Sequence, residues 1–256
     1  FCARIAMGDA LIRAHFVESE AHQIAVWDGT EATGVAGTAA DVASWRGTGS
    51  PMTVVSVTAG DPAPASADPP HQRRVRGVVF ADFAGFSKLS DAQLIAFQEV
   101  VMSTVADRIA PYRDKLLSGR TWGDGINLVF DDVVTAAECA LDLVAMSQEL
   151  DTEQAGLAPL RGLRVAAHAA PVFDGWDPVS GTELFYGVGM TQAARIEPRT
   201  PEGEIYTTHA FAALTMLSGS NTFECQYVGN MPTAKQFGNM PLYALRRRPG
   251  VITTGE

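Results

Sequence analysis

Hydrophobic and polar positions recur with two different periods along this chain, and the changes between them mark its elements. Near the N-terminus, "HQIAVWDG" and "PMTVVSV" are short apolar, β-branched runs bounded by turn residues. Between them, "GTAADVASWRGTG" reads as a short helix ended by glycine. This predicts a βαβ unit. Residues 60–75, opening "GDPAPASADPP", carry no apolar period and predict an extended linker. Beyond it, "RGVVFADF" predicts a strand. "SDAQLIAFQEVVMSTVADRI" predicts a helix in which Ser90 and Gln93 form a capping box and Leu94, Phe97 and Val101 share one face. "SGRTWGDGINLVF" predicts a hairpin with Asp124-Gly125 at its tip. A helix ("VVTAAECALDLVAMSQEL"), a strand ("LRVAAHAAPVF"), a helix near "GMTQAARI", a strand ("GEIYTT") and a closing hairpin ("FECQYVGNMP" with "MPLYAL") follow. That order predicts an α+β fold, with helices on one face of a mainly antiparallel sheet in the ferredoxin-like arrangement.

Composition narrows the chemistry. The 256 residues are 46% hydrophobic and 19% charged, enough for a packed core without disulfides or a structural metal. The formal net charge of −10 repels nucleic acid and anionic lipid, so neither is expected as a partner. The run Arg246, Arg247, Arg248 reads as a solvated tail. Cys2, Cys139 and Cys225 are odd in number and widely spaced, which fits a reducing cytoplasm and excludes the usual zinc patterns. No apolar run reaches the roughly 18 residues of a membrane span, and Arg4 and Asp9 stand where a signal peptide is apolar. The chain begins at Phe1 and not at methionine, and is expected to be a piece of a longer protein.

Two acids stand out. Asp82 closes the strand after the linker and Asp124 sits at the hairpin tip, so both project from one edge of the sheet. Spacing alone leaves two readings open. The simpler is structural: Asp-Gly is a common hairpin turn, and a strand-terminal Asp is often a cap. The other is chemical. Carboxylates held within a few Å repel, and a divalent cation relieves this; magnesium takes one or two carboxylates and completes its shell with water and phosphate. His168 on the central strand reads as a satisfied core residue, and Trp122 as packing rather than base stacking. In "GVAGTAAD", amides around Thr38 at a helix N-terminus could meet a phosphate, though a plain tight turn is the simpler reading.

In "VVFADFAGFSKLS", "GRTWGDGINLVFDD", "LRVAAHAAPVFDG" and "FYGVGMTQAARIEP", followed by "GEIYTT" and "VGNMPTAKQFGNMPLYAL", the chain from about Arg76 to Arg247 resembles the class III nucleotidyl cyclases, with the motifs in that family's order. The resemblance implies conversion of a nucleoside triphosphate to its 3′,5′-cyclic monophosphate and pyrophosphate, with two Mg²⁺ or Mn²⁺ ions per site at the interface of a homodimer. It implies metal ligation by Asp82, Asp124 and the Phe83 carbonyl, and Arg195 as the group that meets charge developing on the α-phosphate. Substrate contacts are implied at Arg120, Leu184, Phe83, Gly85, Phe86 and Lys235. The stretch "VWDGTEATGVAGTAADV" is similar to the closing segment of the SLOG, or lysine-decarboxylase-like, nucleotide-binding families, which implies that the βαβ unit ends a Rossmann-like domain.

The departures from the cyclase pattern are informative. Arg120 replaces the base-reading lysine and Leu184 its Asp or Thr partner; Thr191 replaces the transition-state asparagine; Phe237 falls where a phosphate-binding lysine is expected, with Lys235 a substitute. Arginine offers only donors and leucine nothing polar, which suits base edges rich in acceptors, such as uracil or guanine, better than adenine. Certain pyrimidine cyclases of the family also depart from the purine pair, so UTP, CTP and GTP stand beside ATP. The asparagine's loss is expected to cost about 3 to 4 kcal/mol in the transition state. The expected organisation is residues 1–59 as the Rossmann-like remnant, 60–75 as linker, 76–247 as a cytoplasmic cyclase domain and 248–256 as tail. The alternative function is a weak or inactive cyclase-homology module that binds nucleotide or dimerises. A GGDEF-type diguanylate cyclase is excluded, because no such string occurs.

Overall fold

The computed structural model describes residues 1–31, 34–58, 73–234 and 238–248. Helix α1 (Cys2–Phe16) precedes β1 (Gln23–Trp27), α2 (Thr38–Arg46) and β2 (Met52–Ser56). The two strands pair in parallel, Gln23 opposite Met52, so the expected βαβ unit forms.

The larger part begins with β3 (Arg73–Phe83), three residues earlier than expected; the rest of the expected linker, residues 60–72, lies outside the described residues. Next come α3 (Asp91–Ala96) and α4 (Met102–Ile109), joined by a π-helical stretch at Phe97–Val101 where one continuous helix was expected. The capping box is present, with the Ser90 N–H donating to Gln93 Oε1 at 3.0 Å. The chain continues through β4 (Leu116–Trp122), β5 (Gly125–Phe130), α5 (Val133–Glu149), β6 (Leu163–Asp177), β7 (Thr182–Tyr186), α6 (Met190–Ile196), β8 (Ile205–Thr208), α7 (His209–Leu217), β9 (Phe223–Pro232) and β10 (Asn239–Arg247). The sheet order is β4-β5-β3-β6-β8-β10-β9, with β7 extending the far end of β6, and its one parallel pair is β6 with β8. This is the expected mainly antiparallel α+β arrangement, except that α6 packs on the face opposite α4, α5 and α7, where all helices were expected on one face.

Elements that the periodicity missed have physical causes. Helix α7, "HAFAALTML", is apolar on nearly every side because it is buried on nearly every side, so it shows no amphipathic period. Helix α1 contains Gly8, normally unfavourable in a helix interior. A Cβ at Gly8 would stand 1.9 Å from the Ala213 carbonyl oxygen, so the glycine lets α1 lie directly on α7. The arginine run is also not a free tail: Arg246 and Arg247 end β10, and Arg246, Arg247 and Arg248 pair with Glu204, Glu138 and Asp142, and Glu224 respectively.

The sheet has two unlike faces. Odd positions of β3 (Val79, Ala81, Phe83) join the main core with α4, α5 and α7. Even positions face the other way; there Val78, Ala166, Ala193, Ile196 and Leu242 form a small cluster under α6, with Phe80 at its margin. Asp82 belongs to this second face.

Candidate active site

Strand β3 delivers Asp82 to the sheet edge, and the β4–β5 hairpin delivers Asp124 beside it. The turn differs from expectation. Trp122 pairs with Gly125, so the two turn residues are Gly123 and Asp124 rather than Asp124 and Gly125. Gly123 has φ +61° at the first central position, the place where a type II′ hairpin needs glycine. Asp124 is thereby held back toward β3, where its Oδ2 accepts the Phe83 N–H at 3.2 Å. The Asp82 carboxyl is close enough to act on that of Asp124. Burial, followed by that neighbour and its charge, pushes Asp124 up to about 7.

An ion pair with Arg164 supports Asp82. The β3–β6 register sets Arg164 directly opposite it, and the guanidinium Nη2 donates to Asp82 Oδ2. On its other side, Arg164 Nε lies 3.1 Å from Glu197 Oε1, in the turn that follows α6. Burial, with Asp82 nearby and Arg164 opposing, raises Glu197 to about 7. Sequence reasoning named neither Arg164 nor Glu197, because Arg164 meets Asp82 through strand register across 82 positions and Glu197 joins only through Arg164.

The remaining expected residues fall as follows. Phe83 is buried, and its ring meets Phe97 edge-on with centroids 5.5 Å apart. Gly85 has φ +94°, and a Cβ there would stand 2.0 Å from the Pro159 carbonyl oxygen, so space and backbone both require glycine. Phe86 packs on Phe97 and sits under the hairpin tip, close to where a Gly123 Cβ would be. Arg120 lies on the open face of β4; its Nη2 donates to Thr182 Oγ1 at 2.7 Å and to the Glu183 carbonyl at 2.6 Å, which places it beside half-buried Leu184 on β7. Helix α6 carries Thr191, whose hydroxyl donates to the Val188 carbonyl at 3.0 Å, and half-buried Arg195 in its last turn. Lys235 and Phe237 lie outside the described residues. His168 is buried as expected; its Nδ1 is 2.8 Å from Thr208 Oγ1, and burial lowers it to about 4. Trp122 corrects its expectation: among the described residues it is 92% exposed and not packed into the core.

The donor set fits a divalent cation. Asp82 and Asp124 offer carboxylate oxygens at one edge, and their mutual repulsion is what such an ion relieves. Among the described residues no cluster of three or more His, Cys, Asp or Glu is placed to hold an ion, so the remaining ligands would be phosphate, water or main-chain oxygen, as magnesium accepts. Phe80, Arg120, Trp122 and Asn127 line an open cavity of about 480 Å³ on the same face. No helix of the described residues is long and apolar enough to cross a membrane.

No protein-family model and no curated protein matches the sequence. Solved structures do match in fold. The adenylyl cyclase CyaB from P. aeruginosa superposes with TM-score 0.59 at 17% identity, over 71% of this chain and 98% of that one. The guanylate cyclase domain of RhGC from Catenaria anguillulae, solved with GTP, gives TM-score 0.57 at 21% identity over 68% and 97%. An adenylate cyclase from Trypanosoma brucei, in its monomeric state, gives 0.56 at 20% over 69% and 89%. The larger part of this chain therefore has the fold of the class III adenylyl and guanylyl cyclase catalytic domains.

Proposed function

We propose that the chain is a nucleotidyl cyclase, a phosphorus-oxygen lyase that converts a nucleoside triphosphate to its 3′,5′-cyclic monophosphate and pyrophosphate. The observation that carries this reading is the approach of Asp82 and Asp124 at one edge of a cyclase-fold sheet. When bound there, two Mg²⁺ or Mn²⁺ ions would lower the pKa of the 3′-hydroxyl and neutralise the phosphates. Asp82 and Asp124 would hold them, with the Phe83 carbonyl as a further oxygen donor. Phe83 contributes through its main chain a second time, since its N–H fixes Asp124. Arg195 would meet the negative charge that grows on the α-phosphate during in-line attack. Lys235 would contact the phosphates.

The base is read by Arg120 and Leu184. Both Nη2 hydrogens of Arg120 are committed to Thr182 and Glu183, leaving Nη1 and Nε to face a base. Those are donors only, and the Glu183 carbonyl is already engaged by Nη2. An adenine N6 amino group left without an acceptor costs about 1 to 3 kcal/mol, so GTP or UTP is favoured over ATP. The exposed side chains of Trp122, Trp176, Tyr186 and Val188 support a homodimer that covers this region. One observation favours the second reading, a catalytically weak regulatory module: the Thr191 hydroxyl is spent on Val188 within its own turn and is turned from the role of a phosphate donor. Incubation with manganese and all four ribonucleoside triphosphates, followed by mass spectrometry, separates the two readings. A cyclic product made by the parent and not by Asp82→Ala supports the enzyme; no cyclic product from folded dimer supports the module.

A further inference from the structure

Arg164 is a partly buried cation set between two carboxylates at the edge of the sheet. Cross-strand register puts it opposite Asp82, and its guanidinium spans two carboxylates, donating through Nη2 to Asp82 and approaching Glu197 through Nε at 3.1 Å. The three side chains are 27%, 28% and 13% exposed, so water screens these charges only in part. The contacts are unequal. Arg164 Nε and Glu197 Oε1 are both buried without an aligned hydrogen bond, although they lie within ion-pair distance. Glu197 therefore attracts the guanidinium without saturating it, and retains capacity to take a fuller share. A divalent ion and a guanidinium cannot both crowd the same carboxylate without repulsion. Turning toward Glu197 gives Arg164 a charged partner that keeps it out of the ion's way.

We propose that Arg164 is a positioning residue for the metal edge: a resident cation that holds Asp82 when no ion is bound and passes to Glu197 when an ion claims that carboxylate. This rests on the reading of Asp82 and Asp124 as the metal-holding pair. It makes the two partners of Arg164 act in opposite directions. Removing the arginine's charge removes a competitor, so the ion binds more tightly. Removing the charge of Glu197 removes the alternative anchor, so Arg164 stays on Asp82 and the ion binds more weakly. Side chains that serve only to hold the fold would weaken binding together.

The test is titration of Mn²⁺ alone into the nucleotide-free full chain at pH 8, followed by water-proton relaxation, with thermal melting to establish that each variant is folded. Arg164→Gln is expected to tighten the Mn²⁺ Kd roughly fivefold, Glu197→Gln to weaken it roughly threefold, and Arg164→Lys, which keeps the charge, to stay within about twofold of the parent. Arg164→Gln and Glu197→Gln changing the Kd in the same direction, or either leaving it unchanged, overturns the proposal. Should Asp82→Ala bind Mn²⁺ as the parent does, the metal edge itself is misplaced and this inference falls with it; that outcome is distinct, because it does not depend on either Arg164 variant.

Discussion

Neighbouring residues of β3 serve two faces that are built for different purposes. On one, Val79, Ala81 and Phe83 disappear into the main core beneath α4, α5 and α7. On the other, Val78 is covered by α6, Phe80 lines an open cavity, and Asp82 stands at a half-buried edge among ion pairs. The period of two sends alternate side chains to opposite faces, so a single strand can anchor the fold and present chemistry without either task constraining the other. Substitutions one position apart should therefore separate stability from activity.

The largest effect on stability belongs to the packed face. Phe83→Ala removes a ring at 2% exposure from its contact with Phe97, and is expected to cost about 3 to 5 kcal/mol in urea unfolding. Asp82→Ala, one residue earlier, should leave the urea midpoint near that of the parent. A comparable loss at both positions would erase the distinction between the faces.

His168 tests the covered portion of the second face. Burial holds it to about 4 against its ordinary 6.5. Above pH 6.5 the folded and unfolded chains are both neutral there, and the contribution to stability is complete. As pH falls, the unfolded chain takes up its proton first, so stability is lost between pH 6.5 and about 4, on the order of 3 kcal/mol. His168→Gln should flatten that part of the pH profile; an unchanged slope would show that other groups produce it.

A smaller effect of opposite sign is expected at Asp124. Asparagine can still accept the Phe83 N–H and can donate to Asp82, while the repulsion between carboxylates disappears. Asp124→Asn should raise stability by about 1 kcal/mol and abolish turnover, as sites built for function often behave. Least of all should change at Trp122: Trp122→Ser is expected to shift monomer stability by under about 0.5 kcal/mol while weakening self-association measured by sedimentation. A large loss of monomer stability would mean that the ring packs within its own chain after all.

Much of this was legible in the sequence because local signals agreed with the fold. The strand ending on Asp82, the hairpin presenting Asp124 and the capping box at Ser90 and Gln93 are short-range patterns, and the structure forms each of them. What stayed hidden depends on distant partners. Arg164 and Glu197 become meaningful only when strand register sets one opposite Asp82 and a turn brings the other up behind it. Helix α7 has no period because it has no wet side, and α1 looks broken at Gly8 until its contact with Ala213 is seen. Trp122 reads as a packing residue from its chemistry and is exposed among the described residues, since it stands at the hairpin tip next to Gly123.

The most direct measurement is mass spectrometry of the products formed when the chain and Asp82→Ala are each incubated with manganese and an equal mixture of the four ribonucleoside triphosphates. A cyclic monophosphate from the parent alone, with guanine or uracil favoured over adenine, is the expected result. Equal product from both proteins would contradict the assignment of Asp82, and no product from folded, dimeric parent would contradict catalysis by this chain.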